Sequence, residues 1–269
     1  MTAIPMSPKP QRPLPSATVA LVREAAAAPE LLLVLRHSRA SFGDSYVFPG
    51  GLLEPTDYEV WSRCDGLDAG AANARLDLDN GGLAYYSAAI RELFEEAGIL
   101  LARTTAGRWP AADAFAADRD ALNAGTLAWP DFLDAHDLRL VCDSLVYFEY
   151  WVTPREIPKR FSTRFFLARI PEGQSASHCG RELTDSRWLT AAAALAGARD
   201  AKLQLPRPTE ASLETLNEFG DVQSMVAWAE RRCRNGVDCK LPAVISVDGK
   251  PRVVMPGDQL YPDYDFDDE

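Results

Sequence analysis

The sequence predicts an α+β fold, and three observations carry that prediction. Apolar and β-branched runs are mixed with helical patterns, without the strict strand–helix alternation of a doubly wound sheet. Apolar residues make up 47% of the 269, enough for a sizeable core and too many for a disordered chain. Residues 138–153 and 160–169 are rich in aromatic and β-branched side chains and read as long strands. Residues 83–97 instead read as a helix that stops at Gly98.

Taken in order, residues 1–15 carry five prolines and read as a flexible lead. Residues 16–22 and 31–36 read as a strand pair, and 45–48 as a short strand halted by Pro49-Gly50-Gly51. From 52 to 82 Asp and Gly clusters replace any periodicity, and the segment reads as irregular. Helices are expected at 83–97, at 111–124 and from Trp129, followed by the two long strands. A short strand at 186–189 leads into an Ala-rich helix from Ala191. Helices at 210–219 and 222–234 precede a hairpin at 244–254 that turns on Asp248-Gly249, and the tail from Tyr261 is acidic.

Lys and Arg number 28 against 39 Asp and Glu, a net charge of −11 that disfavours a long nucleic acid as partner. No apolar run approaches the roughly 20 residues of a membrane span. The proline-punctuated N-terminus is not a secretory signal, so the expected location is cytoplasmic, with no membrane partner. Five scattered cysteines without a CxxC pair read as ordinary thiols. His178 beside Cys179 is not read as a nucleophile pair, because base and nucleophile usually meet through the fold.

The chemistry lies in the helix Ser87 to Gly98. Glu92, Glu95 and Glu96 fall at i, i+3 and i+4 and so project from one face. Arg91, four residues before Glu95, is placed to brace a carboxylate, while Ala89, Ile90, Leu93 and Ala97 must pack inward. Gathered carboxylate oxygens suit Mg²⁺ or Mn²⁺. On spacing alone the cluster reads equally as a metal site or as a solvated acidic face.

Arg91-Glu92-Leu93-Phe94-Glu95-Glu96-Ala97-Gly98-Ile99 resembles the second half of the Nudix box, REUxEExGU, at every specified position. Phe48-Pro49-Gly50-Gly51 resembles its opening. Five residues separate Gly51 from Asp57, where the family has Glu, and 33 residues rather than seven then separate Asp57 from Arg91, an insertion of 26. A box split in this way is similar to the branch of acyl-coenzyme A diphosphatases, and the resemblance spans Ser16 to Leu195. Such an insertion costs only about 0.6 kcal/mol per doubling of loop length and lies before the helix, so it leaves the helix intact.

The resemblance implies a Nudix α/β/α sandwich with a mixed central sheet over residues 16–200, an insertion at about 58–82, and a helical and hairpin extension over 201–269 packing on the same domain. It implies a Mg²⁺- or Mn²⁺-dependent diphosphatase in which Glu92, Glu95, Glu96, Glu182 and the Gly50 carbonyl hold metal. Glu92 or Glu182 alternatively serves as general base, and Arg91 orients a glutamate. Glu182 reads equally as an ordinary loop glutamate. Arg36 and Arg39 are candidates for a substrate phosphate, with strand-end arginines in water as the equal alternative.

The aromatics of Tyr147–Trp151 and Arg164–Phe166 read as core. Tyr58 and Trp61 of the insertion would cover an acyl or pantetheine arm. Three functions compete: hydrolysis of coenzyme A or acyl-coenzyme A to an (acyl)phosphopantetheine and adenosine 3′,5′-bisphosphate, hydrolysis of another nucleoside diphosphate derivative such as ADP-ribose or NADH, and an inactive Nudix binding module. Intact Glu92, Glu95 and Glu96 argue against the last. The oligomeric state, a homodimer included, stays open.

Overall fold

The structure, a computed structural model, describes residues 11–36, 45–111, 113–176 and 183–263. Strands β1 (Leu14–Arg23) and β2 (Glu30–Arg36) pair antiparallel, and the short β3 (Tyr46–Val47) and β4 (Gly50–Leu52) pair with β2 and β1 respectively. β1 therefore starts inside the expected lead. The segment read as irregular holds a 3-10 turn at Pro55–Tyr58, a two-residue β5 (Cys64–Asp65) and a helix, α1 (Ala69–Leu76). Its small residues give little amphipathic signal, but Asp68 caps it by accepting from the Ala71 amide at 2.8 Å.

Next comes α2 (Gly82–Ala97), closed by Gly98 at φ 70° with its amide bonded to the Phe94 carbonyl. The expected helices 111–124 and 129 onward appear as α3 (Ala116–Asn123) and α4 (Trp129–Ala135), after a short β6 (Ala102–Thr104). Residues 138–153 are not one strand. β7 (Leu138–Val141) and β8 (Val146–Val152) are separated by a 3-10 turn in which Ser144 Oγ donates to the Val141 carbonyl at 2.6 Å, and they belong to different sheets. β9 (Phe161–Arg169) follows, then β10 (Leu183–Thr190), longer than expected because it pairs with the whole of β2. Helices α5 (Ala191–Arg199), α6 (Arg207–Leu216) and α7 (Val222–Asn235) lead to β11 (Cys239–Lys240) and the expected hairpin β12 (Ala243–Val247)–β13 (Lys250–Val254).

The central sheet runs β10-β2-β1-β9-β8-β11, with β1–β9 and β8–β11 parallel and the other neighbours antiparallel. One core, between this sheet and α2, includes Val19, Leu21, Ile90, Leu93 and Phe166. The other, on the opposite face, includes Leu33, Phe148, Leu213 and Met225, so the C-terminal helices cover the second side. This is the expected α/β/α layering over a mixed sheet. Truncating a large buried aliphatic such as Ile90 to Ala costs about 2–5 kcal/mol at sites of this kind.

One buried cation joins the insertion to the sheet. Arg164 of β9 donates Nη2 to the Leu76 carbonyl at the end of α1, 2.9 Å away, and its guanidinium lies 3.4 Å from the centre of the Tyr150 ring. Its Nε and Nη1 have no hydrogen-bond partner among the described residues. No helix among them is long and apolar enough to cross a membrane.

Candidate active site

The antiparallel pairing of β4 with β1 carries Gly50 and Gly51 to the face of α2. Backbone crowding requires glycine at position 50, and a side chain at Gly51 would displace the Glu92 carboxylate from its place. At Gly50 a Cβ would stand 2.3 Å from the Ala17 carbonyl, and at Gly51 2.3 Å from Glu92 Oε1. The Gly50 amide donates to Glu96 Oε2 at 2.9 Å, so the strand end and the helix are joined through a glutamate of the box.

Arg91 is the hub. It is buried, and each of its five N–H groups has an acceptor. Nε and Nη2 fork onto Asp57 at 3.2 and 3.0 Å, and Nη2 also reaches the Leu52 carbonyl at 2.9 Å. Nη1 divides between Glu92 Oε1 at 3.0 Å and Glu95 Oε2 at 3.1 Å. Asp57 is itself buried and accepts from Ser87 Oγ at 2.9 Å, and that hydroxyl accepts from Trp129 Nε1 at 3.0 Å. The carboxylate that replaces the family's Glu is thus a structural partner of Arg91, in an unbroken chain from α4 to the acidic face of α2.

Further support comes from α3. Arg119 donates to the Glu95 and Glu96 carbonyls at 3.0 and 2.9 Å, and Asn123 to the Glu95 carbonyl at 3.2 Å. These carbonyls belong to the last turn of α2, which lacks intrahelical donors, and a cation there complements the helix dipole.

The acidic face is not a solvated one, since Glu96 is buried and Glu92 and Glu95 are half-buried. Burial raises the pKa of Glu92 against the pull of Arg91 and Arg36. It raises Glu95 to about 7, with Arg91 opposing and Glu92 and Glu54 assisting. Burial alone would lower the pKa of Arg91, but Glu92, Asp57 and Glu95 together outweigh it and raise it. One guanidinium shared by three carboxylates leaves a net negative site.

Arg36, read as a phosphate ligand, points into this site. Its Nη2 donates to the Gly50 carbonyl and lies 3.7 Å from Glu96 Oε1. A positive group therefore already stands between two of the expected metal ligands. Among the described residues no three His, Cys, Asp or Glu side chains converge as a metal-binding group, because Arg91 lies between Glu92 and Glu95 and Glu96 turns to the Gly50 amide. The donor set nevertheless fits a hard divalent cation: all oxygen, half-buried or buried, and short of positive charge. Arg39 and Glu182, and with them His178 and Cys179, lie outside the described residues.

Sequence reasoning missed Ser87, Trp129, Arg119 and Asn123, which act on the box only through tertiary contact and leave no local signal. It also placed Tyr58 and Trp61 over a substrate arm, whereas both are exposed and neither lines the cavity beside the site. That cavity is lined instead by Trp151 and Phe165, which the sequence reads as core rather than as a stacking wall and which do sit in the core.

A family model described as the NUDT19 Nudix domain matches residues 73–216, more than half of the chain. The chain is similar to an acyl-coenzyme A diphosphatase NUDT19 of Gallus gallus, at 29% identity over 279 residues, 87% of this chain and 73% of the relative. It is also 25% identical over 192 residues to a nudix hydrolase of Caenorhabditis elegans, covering 71% of this chain and 57% of that protein's own length. Among solved structures, a NUDIX hydrolase from Alicyclobacillus acidocaldarius superposes with a TM-score of 0.69 at 27% identity, over 80% of this chain and 96% of that one.

Proposed function

The chain belongs to the NUDT19 Nudix domain family, and from that premise we propose that it hydrolyses the diphosphate linkage of acyl-coenzyme A or coenzyme A. Water adds to one phosphorus and the P–O bond of the bridge breaks, giving an (acyl)phosphopantetheine and adenosine 3′,5′-bisphosphate. The observation that carries the proposal is the buried Arg91 hub, which holds Glu92 and Glu95 on one side of α2 while the Gly50 amide holds Glu96. The NUDT19 relatives support the choice of acyl-coenzyme A over other diphosphates.

Nudix hydrolases generally use divalent metals. Here Glu92, Glu95, Glu96 and the Gly50 carbonyl would hold Mg²⁺ or Mn²⁺, with Glu182 a further candidate. When bound, such an ion neutralises diphosphate charge and acidifies water. The protein's own part is positional. Arg91 fixes the rotamers of two glutamates through Nη1, and Asp57, Ser87 and Trp129 fix Arg91. Glu92 is held within the acidic cluster as ligand or as proton acceptor. Arg36, at the junction of the site and the cavity, is placed to exchange the Gly50 carbonyl for a substrate phosphate oxygen, and Arg39 remains a second candidate.

The test is a substrate panel of coenzyme A, acyl-coenzyme A, ADP-ribose and NADH with Mg²⁺ or Mn²⁺ at mildly alkaline pH, with products identified by mass. The expected result is preferential cleavage of coenzyme A species to adenosine 3′,5′-bisphosphate. Much faster turnover of ADP-ribose, or no turnover at all, overturns the proposal.

A further inference from the structure

A cavity of about 350 Å³ opens beside Gly50 and Gly51, with Arg36 at its inner end. Its walls come from two places. Phe48, Trp151 and Phe165 belong to the sheet side, and Pro206, Pro242 and Val253 to the C-terminal extension. Several polar groups of the lining are already occupied. Trp151 Nε1 donates to Glu149 Oε2 at 2.8 Å, Ser16 and Thr163 hydroxyls bond each other at 2.6 Å, and Arg207 pairs with Glu210 and Glu214.

The rim is apolar as well as exposed. Leu52, Ile157 and Val253 line the cavity at 37%, 40% and 57% exposure, three of the seven exposed large hydrophobics among the described residues. Apolar side chains concentrated at the mouth of a cavity, rather than scattered, mark a binding surface.

We propose that this cavity takes the acyl–pantetheine arm of the substrate and not its purine nucleoside; the inference rests on the diphosphatase reading and adds the placement of the substrate's two halves. A purine presents ring nitrogens and an exocyclic amine that lose their water on entry, and the lining offers few free partners to replace it. The acyl arm has methyl and methylene groups to bury, and its two amides keep water on the open side. With Arg36 and Gly50 at the inner end, the diphosphate sits at the acidic face of α2 and the arm runs outward between the sheet and the extension.

The experiment uses S-acyl-pantetheines, which have no diphosphate, titrated into the full chain with Trp fluorescence and calorimetry as readouts. Acetyl, butyryl, hexanoyl and octanoyl forms are compared in wild type and in the rim variants Ile157→Glu and Val253→Glu, both at exposed positions, with folding checked by circular dichroism. Affinity is expected to rise about three- to fourfold per methylene buried, and the slope to collapse in both variants. Affinity independent of chain length, a slope unchanged in both variants, or displacement of the octanoyl form by adenosine 3′,5′-bisphosphate overturns the assignment. These affinities do not depend on turnover. Failure of the substrate panel would remove the diphosphatase reading and leave them in place, whereas a flat series with coenzyme A still cleaved would remove the cavity assignment alone.

Discussion

Two buried carboxylates, Asp57 and Glu149, each join separate parts of the fold, and they do so for different ends. Asp57, just ahead of the insertion, receives Arg91 and Ser87 and, through Ser87, Trp129, so the turn after β4 and α4 brace the helix of acidic residues from behind. Glu149 receives Trp151, Ser212 of α6 and Lys240 of β11 at 2.8, 2.7 and 2.8 Å, so it anchors the extension that walls the cavity. The cation opposite Asp57 is shared with Glu92 and Glu95 and is therefore coupled to the reacting face. The cation opposite Glu149 contacts none of the box. The contrast teaches that the two anchors act on separable properties, the Asp57 turn on the chemistry and the Glu149-held extension on the substrate arm.

The comparison breaks most visibly at Arg91. Arg91→Met leaves Asp57 buried without its counter-charge, and urea unfolding should show a loss of about 3–5 kcal/mol. A loss below 1 kcal/mol would deny the hub its role. Glu96→Gln should lower kcat by about 10²–10⁴-fold with an unchanged unfolding midpoint, since the amide oxygen still accepts from Gly50; near-wild-type kcat at saturating Mg²⁺ would remove Glu96 from the site.

A pH series sharpens the same point. Glu95 binds its proton more tightly in the fold, at about 7, than in the unfolded chain, at 4.5. Unfolding therefore releases protons between those values, and metal-free stability should fall as pH rises from 4.5 to 7. The fall is on the order of 3 kcal/mol, and Mg²⁺ should flatten it; a profile the same with and without metal would count against Glu95 as a ligand. The smallest effect is expected at Glu149→Gln, a loss of about 1–3 kcal/mol from its hydrogen-bond network. There KM for a long-chain acyl-coenzyme A should rise while kcat holds. A fall in kcat with KM unmoved would merge the two regions.

The elements with strong local signals were legible in advance. The helix of Glu92, Glu95 and Glu96 has an apolar back and a glycine stop, and the 244–254 hairpin has an Asp-Gly turn. The insertion was not, because α1 is built from alanines and held by the Arg164–Leu76 contact, which no window of sequence contains. The break between β7 and β8 was hidden for a related reason: Cys142 is apolar enough to continue a strand pattern, and only the return of the Ser144 hydroxyl to the backbone marks the turn. Within the site the carboxylates were readable from spacing, and Arg36 from its place at a strand end, whereas Trp129 and Arg119 meet the helix from elements further along the chain and Ser87 acts through its bond to Asp57.

Arg164 shows that the insertion is not a passenger on the fold. Closing a longer loop costs little, but the last turn of α1 lies against a guanidinium packed on Tyr150, and Val60, Leu67, Ala72 and Leu76 are buried in the same cluster as Ile90 and Leu93. The inserted sequence is therefore under the same packing constraint as the helix it precedes.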